Sequence, residues 1–159
     1  LIASPQPVGR LGNIDILPKA IKHKIPLLMT GFSQQSLECN AELADGWMYY
    51  PRDPRQQKYR IGEWRALVSE SSEFDKPFMQ PLYVDLQEDD NFMPQPIHLG
   101  FRTGVNYLNT YLNHLKTIGV NHVSINLRFN SNYMEETLER LAEKVLPEFQ
   151  TSKKEITIS

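Results

Sequence analysis

The residues best suited to chemistry lie in one short turn, residues 30–36, with the sequence TGFSQQS. Thr30, Ser33 and Ser36 carry hydroxyl groups, and Gly31 allows a ligand to approach the main chain closely. A helix that begins directly after such a turn presents unpaired N–H groups and the positive end of its dipole. The pattern therefore predicts a binding site for an anion, and for a phosphate group in particular.

The same turn has a simpler interpretation. The Ser33 hydroxyl is placed to accept a hydrogen bond from a backbone N–H group two or three residues further on, which caps the helix without any ligand. The local sequence alone favours this capping role, and a ligand site is the alternative.

A second group of polar residues lies in residues 87–103, the least regular part of the chain. Three acidic residues and two prolines precede His98 and Arg102 there. A long loop that mixes charged and aromatic residues after a strand is typical of a lid over a ligand. A disordered insertion is the alternative for residues 87–96. His98 could act as an acid or base in this loop, but such a residue is more often an ordinary surface histidine.

The elements that must position these residues alternate along the chain. Apolar runs predict four strands, at residues 25–29, 47–50, 77–86 and 120–129. Apolar residues spaced three or four apart predict four helices, at residues 36–44, 56–70, 105–118 and 134–149. Such alternation specifies a mostly parallel sheet with helices packed against it. Two architectures fit, a small doubly wound sheet and half of an eight-stranded (β/α) barrel.

Two single residues carry local predictions. Pro81 interrupts the third strand, because proline lacks the N–H group that a sheet ladder requires. That strand is expected to bend at Pro81 or to pair only from Leu82 onward. Asp45, between the first helix and the second strand, is expected to have a capping role.

Composition limits the classes of function. The chain has 159 residues, of which 40% are hydrophobic and 23% are charged, as is usual for a globular domain. The formal net charge of −2 does not favour nucleic acid or an anionic membrane as a partner. Cys39 is the only cysteine, which argues against disulfides and thiolate metal sites and favours a cytoplasmic setting. Neither a membrane span nor a signal peptide is predicted.

The chain resembles the C-terminal half of the luciferase-like flavin-dependent monooxygenases, a family that includes bacterial luciferase and alkane-sulfonate monooxygenases. The resemblance lies in residues 27–53 (LLMTGFSQQSLECNAELADGWMYYPRD), 97–104 (IHLGFRTG) and 119–129 (GVNHVSINLRF). The family fold is a (β/α)₈ barrel, so the resemblance implies that the four predicted strands are the fifth to the eighth. Residues 25–150 would form the four β/α units, between a leading loop (1–24) and a tail (151–159).

In this family reduced FMN lies at the C-terminal mouth of the barrel, which implies where its phosphate would be. By resemblance the phosphate contacts would be Thr30, Gly31, Phe32, Ser33, Gln34 and Ser36. Because this is the turn that the local pattern selected, the prediction moves from simple capping to phosphate binding. Arg102 would lie in the mobile loop after the seventh strand, as a second phosphate contact or a substrate contact. The family's flavin-ring contacts come mainly from the first four strands, so the catalytic residues stay unknown.

The resemblance implies an FMN-dependent oxidoreductase in which reduced flavin and dioxygen act on a small organic substrate, with a flavin reductase as a candidate partner. This half alone is predicted to be inactive. Its unpaired outer strands favour a homo-oligomer, a dimer built across the open edges. The alternative from another class is a non-enzymatic, flavodoxin-like module that binds an anion at Ser33.

Overall fold

A computed structural model describes residues 25–31 and 34–149 of the chain. The strands are β1 (Leu28–Thr30), β2 (Gly46–Met48), β3 (Phe78–Leu86), β4 (Gln95–Ile97), β5 (Gly100–Thr103) and β6 (His122–Asn126). The helices are α1 (Leu37–Leu43), α2 (Pro54–Ser71), α3 (Val105–Ile118), α4 (Met134–Lys144) and α5 (Leu146–Phe149). The predicted leading loop and tail lie outside the described residues. None of the described helices is long and apolar enough to cross a membrane.

The six strands form one mixed sheet that is mostly parallel. The parallel strands β1, β2, β3 and β6 lie side by side in the order in which they occur in the chain. β4 and β5 form an antiparallel hairpin, and β5 runs parallel to the second half of β3. A doubly wound sheet reverses its strand order, so this sequential order is that of a barrel segment. Half of a closed barrel stays a prediction.

The core lies between one face of this sheet and the helices. Alternate residues of β3 are buried on that face: Phe78, Gln80, Leu82, Val84 and Leu86. They belong to a cluster with buried residues of α2 and α3, among them Trp64 and Leu108. The opposite face, called the open face below, carries Thr30, Met48, Tyr83 and Asp85, because side chains alternate along each strand.

Trp47, the last residue of the sequence ADGW at residues 44–47, anchors β2 in the core. Its side chain is fully buried and packs against Trp64 and Phe78, with ring centroids 5.5 and 5.4 Å away. Its indole N–H donates to the carbonyl oxygen of Gly31, and the Gly31 N–H donates to Met48 at 2.8 Å. β2 therefore fixes the start of the turn that follows β1.

Asp45 joins the starts of two strands. The Leu27 N–H donates to the Asp45 carboxylate at 2.8 Å, and the Asp45 N–H donates to the Leu27 carbonyl at 2.7 Å. The C-cap of α1 is Ala44. The predicted capping role therefore applies to strand β1 rather than to the helix.

The expectation that this strand pairs only from Leu82 onward is wrong, since β3 is paired from Phe78 and Pro81 pairs in register with Ser124 of β6. On the opposite edge of β3, the backbone N–H of Tyr49 donates to the Met79 carbonyl at 2.9 Å, and the backbone N–H of Tyr83 donates to the Leu99 carbonyl at 3.2 Å. Pro81, midway between Met79 and Tyr83, thus faces the gap between the end of β2 and the start of β5. Its missing N–H costs no ladder bond there.

The β4–β5 hairpin was not expected from the sequence. The alternative of a disordered insertion is wrong, because the segment forms two strands and its backbone is hydrogen bonded to both neighbouring elements. The Gly104 N–H donates to Phe92 at 3.0 Å, and the Asn106 N–H donates to Asp90 at 3.0 Å. A Cβ atom on Gly100 would lie 1.8 Å from the Tyr83 carbonyl oxygen, so only glycine permits this approach of β5 to β3.

Gly100→Ala is therefore expected to lower the free energy of unfolding by about 1–3 kcal/mol, because the hairpin must move away from β3. Urea unfolding followed by circular dichroism measures this. Gly62→Ala is the matched control, because a Cβ there meets no atom within 4 Å and lies on a helix. It should raise stability by about 0.5–1 kcal/mol. Equal effects of the two substitutions would contradict the role given to Gly100.

Candidate functional site

The predicted anion-binding turn lies at the carboxyl end of β1. Thr30, Gln34 and Ser36 are exposed there, and Phe32 and Ser33 lie outside the described residues. Gly31 has φ of 56° and Gln34 has φ of 61°, both in the left-handed region. A glutamine in that conformation costs on the order of 1 kcal/mol, and such strain is found preferentially at functional sites.

The N-cap of α1 is Ser36, not Ser33 as predicted. The Ser36 hydroxyl oxygen accepts a hydrogen bond from the Cys39 N–H at 3.2 Å. Hydrogen bonds from the Glu38 backbone N–H and from the Ser36 hydroxyl hold the pKa of the Glu38 carboxyl below its ordinary value. A bound phosphate would therefore compete with Glu38 for the Ser36 proton. α1 has only seven residues, so its dipole alone is a weak attraction for an anion.

A second polar cluster, here called the Asp85 cluster, lies on the open face at the carboxyl ends of β3 and β5. The Asp85 side chain is 1% exposed and accepts from the Arg102 Nε atom at 2.6 Å. Its other oxygen accepts from the Ser131 N–H at 2.9 Å, the Ser131 hydroxyl at 2.8 Å and the Gln87 amide at 3.0 Å. One buried carboxylate thus joins β3, the hairpin and the loop after β6.

The charge of Asp85 is stabilised where it lies. Burial on its own raises the pKa of this carboxyl, but hydrogen bonds from Arg102 and Ser131 outweigh burial, so the pKa of Asp85 lies below its ordinary value. Asp85 is therefore an ionised anchor for Arg102 at neutral pH, and not a proton donor.

Aromatic rings lie next to the Asp85 cluster. The ring of Tyr83, two residues before Asp85 on the same face, is 5.2 Å from that of Phe129 and 5.9 Å from that of His98. The Arg128 guanidinium lies 5.8 Å above the Phe129 ring. His98 is thus part of an aromatic group at the hairpin tip.

Only the Nε atom of the Arg102 guanidinium group takes part in these contacts among the described residues. Its side chain is 44% exposed, and within the described part of the chain its two terminal Nη atoms have no hydrogen-bond partner. Asp85 binds the Nε side, so the edge formed by the two Nη atoms stays available for a planar oxyanion.

The segment between β3 and β5 is held from a third side by α4. Arg140 donates to the carbonyls of Gln87 at 2.6 Å and Glu88 at 3.0 Å, and also pairs with Asp90. Lys144 donates to Asp90 at 2.5 Å, and these hydrogen bonds hold the pKa of Asp90 below its usual range. The segment predicted to be a lid is thus a hairpin that hydrogen bonds and ion pairs hold against α4. Its movement stays a prediction.

Strand register separates the two groups of predicted contacts. Thr30 pairs with Met48, and Met48 pairs with Met79 of β3. Arg102 pairs instead with Asp85, which lies six residues further along β3 (79 to 85). Six residues correspond to about 20 Å along the strand. A phosphate beside Gly31 is therefore beyond the reach of Arg102, which favours a substrate contact over a second phosphate contact.

Sequence reasoning missed the centre of this site. Asp85 is an acidic residue inside an otherwise apolar strand, PLYVDL, and a buried charge of that kind is a usable signal. Ser131 and Phe129 had no comparable signal, because their place depends on how the loop after β6 crosses β3. No group of residues that could hold a metal ion is found among the described residues.

Two surface cavities of the described residues lie on the helix side of the sheet. One is lined by β6, α3 and α5, with Val123 and Phe149 in its wall, and the other lies between α2 and α3 beside Tyr111. Neither includes the turn or the Asp85 cluster, so the candidate site is an uncovered surface of the open face.

Comparisons with known proteins concern the fold. No protein-family model and no curated protein matches the chain. Among solved structures, the chain is similar to the coenzyme F420 dependent tetrahydromethanopterin reductase from Methanopyrus kandleri, with a TM-score of 0.63 and 12% sequence identity. The match covers 79% of this chain and 51% of that chain, so this chain spans about half the length of the reductase.

Asp85→Asn is expected to lower the free energy of unfolding at pH 7 by about 1–3 kcal/mol, since Arg102 loses its charged partner. Because the pKa of Asp85 is lowered in the folded protein, its stabilising contribution is complete above the ordinary pKa and is lost as pH falls through the folded pKa. The difference between wild type and variant should therefore shrink below about pH 4.

Urea unfolding at a series of pH values measures this difference. Asp75→Asn is the control, because Asp75 forms an ion pair with Arg65 but its side chain is 70% exposed. It should change stability by less than about 1 kcal/mol at any pH. A pH-independent effect of Asp85→Asn would contradict the stabilised charge.

Proposed function

We propose that this chain is the C-terminal half of an FMN-dependent, luciferase-like oxidoreductase that oxidises a small organic substrate with reduced flavin and dioxygen. The observation that carries the proposal is the sequential parallel sheet, which is similar to half of a reductase and presents a strained, exposed turn at the end of its first strand. A flavin reductase would supply the reduced cofactor.

The residues of the turn fit a phosphate group. The exposed residues Thr30 and Ser36 carry hydroxyl groups that would contact the phosphate. Gly31 is buried, and Trp47 and Met48 fix its backbone from β2, so the start of the turn is organised before a ligand arrives. These contacts use the N–H and the carbonyl oxygen of Gly31, so the donors to the phosphate would come from the residues that follow it.

This chain's residues would bind and orient the cofactor, and they would exclude water from one side of it. The turn would hold the phosphate, and the open face would contact the cofactor or the substrate between Thr30 and the Asp85 cluster, about 20 Å further along. FMN, when bound, supplies the redox chemistry. The coenzyme F420 of the similar reductase is also a flavin-type cofactor, so an F420-dependent reductase that does not use dioxygen is the second candidate.

The open face requires a cover. The outer edges of β1 and β6 pair with no other described strand. Large apolar side chains are exposed just before β1, including Ile25 at 72% and Leu27 at 51%, and in the chain after β6, including Tyr133 at 80% and Leu138 of α4 at 52%. A complementary half-barrel would pair with both edges and close a (β/α)₈ barrel. A second copy of this chain is the alternative occupant and would form the predicted homo-oligomer.

The phosphate anchor is tested by comparing FMN with riboflavin, which lacks the phosphate, in fluorescence titrations of the whole chain. Ser36→Asp keeps an N-cap residue but places a negative charge at the turn. It is expected to weaken FMN binding by about 1.5–3 kcal/mol and to leave riboflavin binding unchanged. Ser33→Ala is expected to weaken FMN binding by about 1–3 kcal/mol.

Ser69→Ala serves as the control, because Ser69 is an exposed residue of α2 whose hydroxyl, among the described residues, bonds only to its own helix. It should leave both affinities unchanged. Equal affinity of the wild type for FMN and riboflavin, or equal loss of both in Ser36→Asp, would overturn the anchor.

A further inference from the structure

We propose that Arg102 and the neighbouring aromatic rings form a subsite for an organic carboxylate with an apolar body. This inference rests on the proposed function and deepens it, because it assigns a chemical class to the substrate of the same open face.

The geometry of Arg102 is the first argument. A guanidinium group has two edges that each present two parallel N–H donors. The buried Asp85 carboxylate binds the Nε atom at 2.6 Å and so fixes the orientation of the group. The remaining edge, formed by the two Nη atoms, has no partner within the described ranges, and the side chain is 44% exposed. That edge matches the two oxygen atoms of a carboxylate.

The rigidity of Asp85 is the second argument. Its second oxygen accepts three hydrogen bonds, from the Ser131 N–H, the Ser131 hydroxyl and the Gln87 amide, at 2.8 to 3.0 Å. A carboxylate held on every side cannot follow Arg102 if the arginine moves. Arg102 is therefore presented as a positioned donor, and Asp85 acts as its positioning residue.

The apolar surface beside Arg102 is the third argument. Tyr83 precedes Asp85 by two residues on the same face, at about 7 Å along the strand. Its ring packs with Phe129 and His98, at centroid distances of 5.2 and 5.9 Å. Gly100, which pairs with Tyr83 on β5, contributes no side chain of its own. An apolar body attached to the carboxylate would lie on these rings.

The local charge is the fourth argument. Asp85 and Arg102 compensate one another, and Arg128 adds a further positive charge above the Phe129 ring, at 5.8 Å. The Arg128 guanidinium is therefore a second cation beside the rings of the proposed subsite.

The test is an NMR titration of the whole chain with benzoate, which has a planar carboxylate and an aromatic body. Acetate lacks the apolar body, and benzyl alcohol lacks the charge. Benzoate is expected to bind at least about tenfold more tightly than either, with the largest amide shifts at residues of β5 and of the loop after β6.

Arg102→Gln is expected to weaken benzoate binding by at least about tenfold, and Arg102→Lys by several-fold, since lysine keeps the charge but lacks the planar edge. Arg60→Gln is the matched control, because Arg60 also pairs with a carboxylate, Glu63, but lies on α2. It should leave the benzoate affinity unchanged. Unchanged amide spectra away from the substitution would show that each variant is folded.

Benzoate binding that is unaffected by Arg102→Gln, or equal binding of benzyl alcohol, would overturn the subsite. Loss of FMN binding in Arg102→Gln without loss of benzoate binding would also overturn it, in favour of a cofactor contact. The two proposals fail separately: Ser36→Asp tests the phosphate anchor and should not change the benzoate affinity, whereas Arg102→Gln should not change the preference for FMN over riboflavin.

Discussion

The structure depends on the two edges of one strand. β3 pairs with β6 along one edge and with β2 and then β5 along the other, so three strands are placed by nine residues. The change of partner on the second edge occurs at Pro81, whose missing N–H faces the gap between β2 and β5. Beyond that gap, Asp85 joins the hairpin and the loop after β6 to the end of the strand. The polar and aromatic residues of the open face are brought together by this arrangement.

Much of the fold followed from periodicity. The four parallel strands and the main helices were predicted near their observed places, and α3 was predicted with its observed bounds, because its apolar residues repeat regularly and Gly119 ends it in a left-handed conformation. The β4–β5 hairpin could not be predicted in this way. Its strands have three and four residues, too few for a period. β5 is held by its pairing with β3, and the loop before β4 is held by side chains of α4 that are distant in sequence.

The candidate site likewise has one part that the local sequence predicted and another that depends on contacts distant in sequence. The turn after β1 was predicted because strand, glycine, hydroxyl residues and helix follow one another locally, although the N-cap proved to be Ser36. Arg102 was predicted as a phosphate or substrate contact, but the carboxylate that holds it was not predicted. The partner is Asp85, whose acidic side chain in an apolar strand is a local signal, but its contact with Ser131 joins residues 46 positions apart and has none. Sequence patterns therefore identified the donors, and only tertiary structure could show how they are held.

The 46-residue separation of Asp85 and Ser131 also has a consequence for biosynthesis. During synthesis residues 85–103 leave the ribosomal exit tunnel before Ser131 does, so the hairpin can form and Arg102 can pair with Asp85 while the loop that completes the carboxylate's hydrogen bonds is still inside the ribosome. The nascent polypeptide thus carries an incompletely satisfied acidic group until Ser131 has emerged, and a pause in translation during that interval would prolong this state.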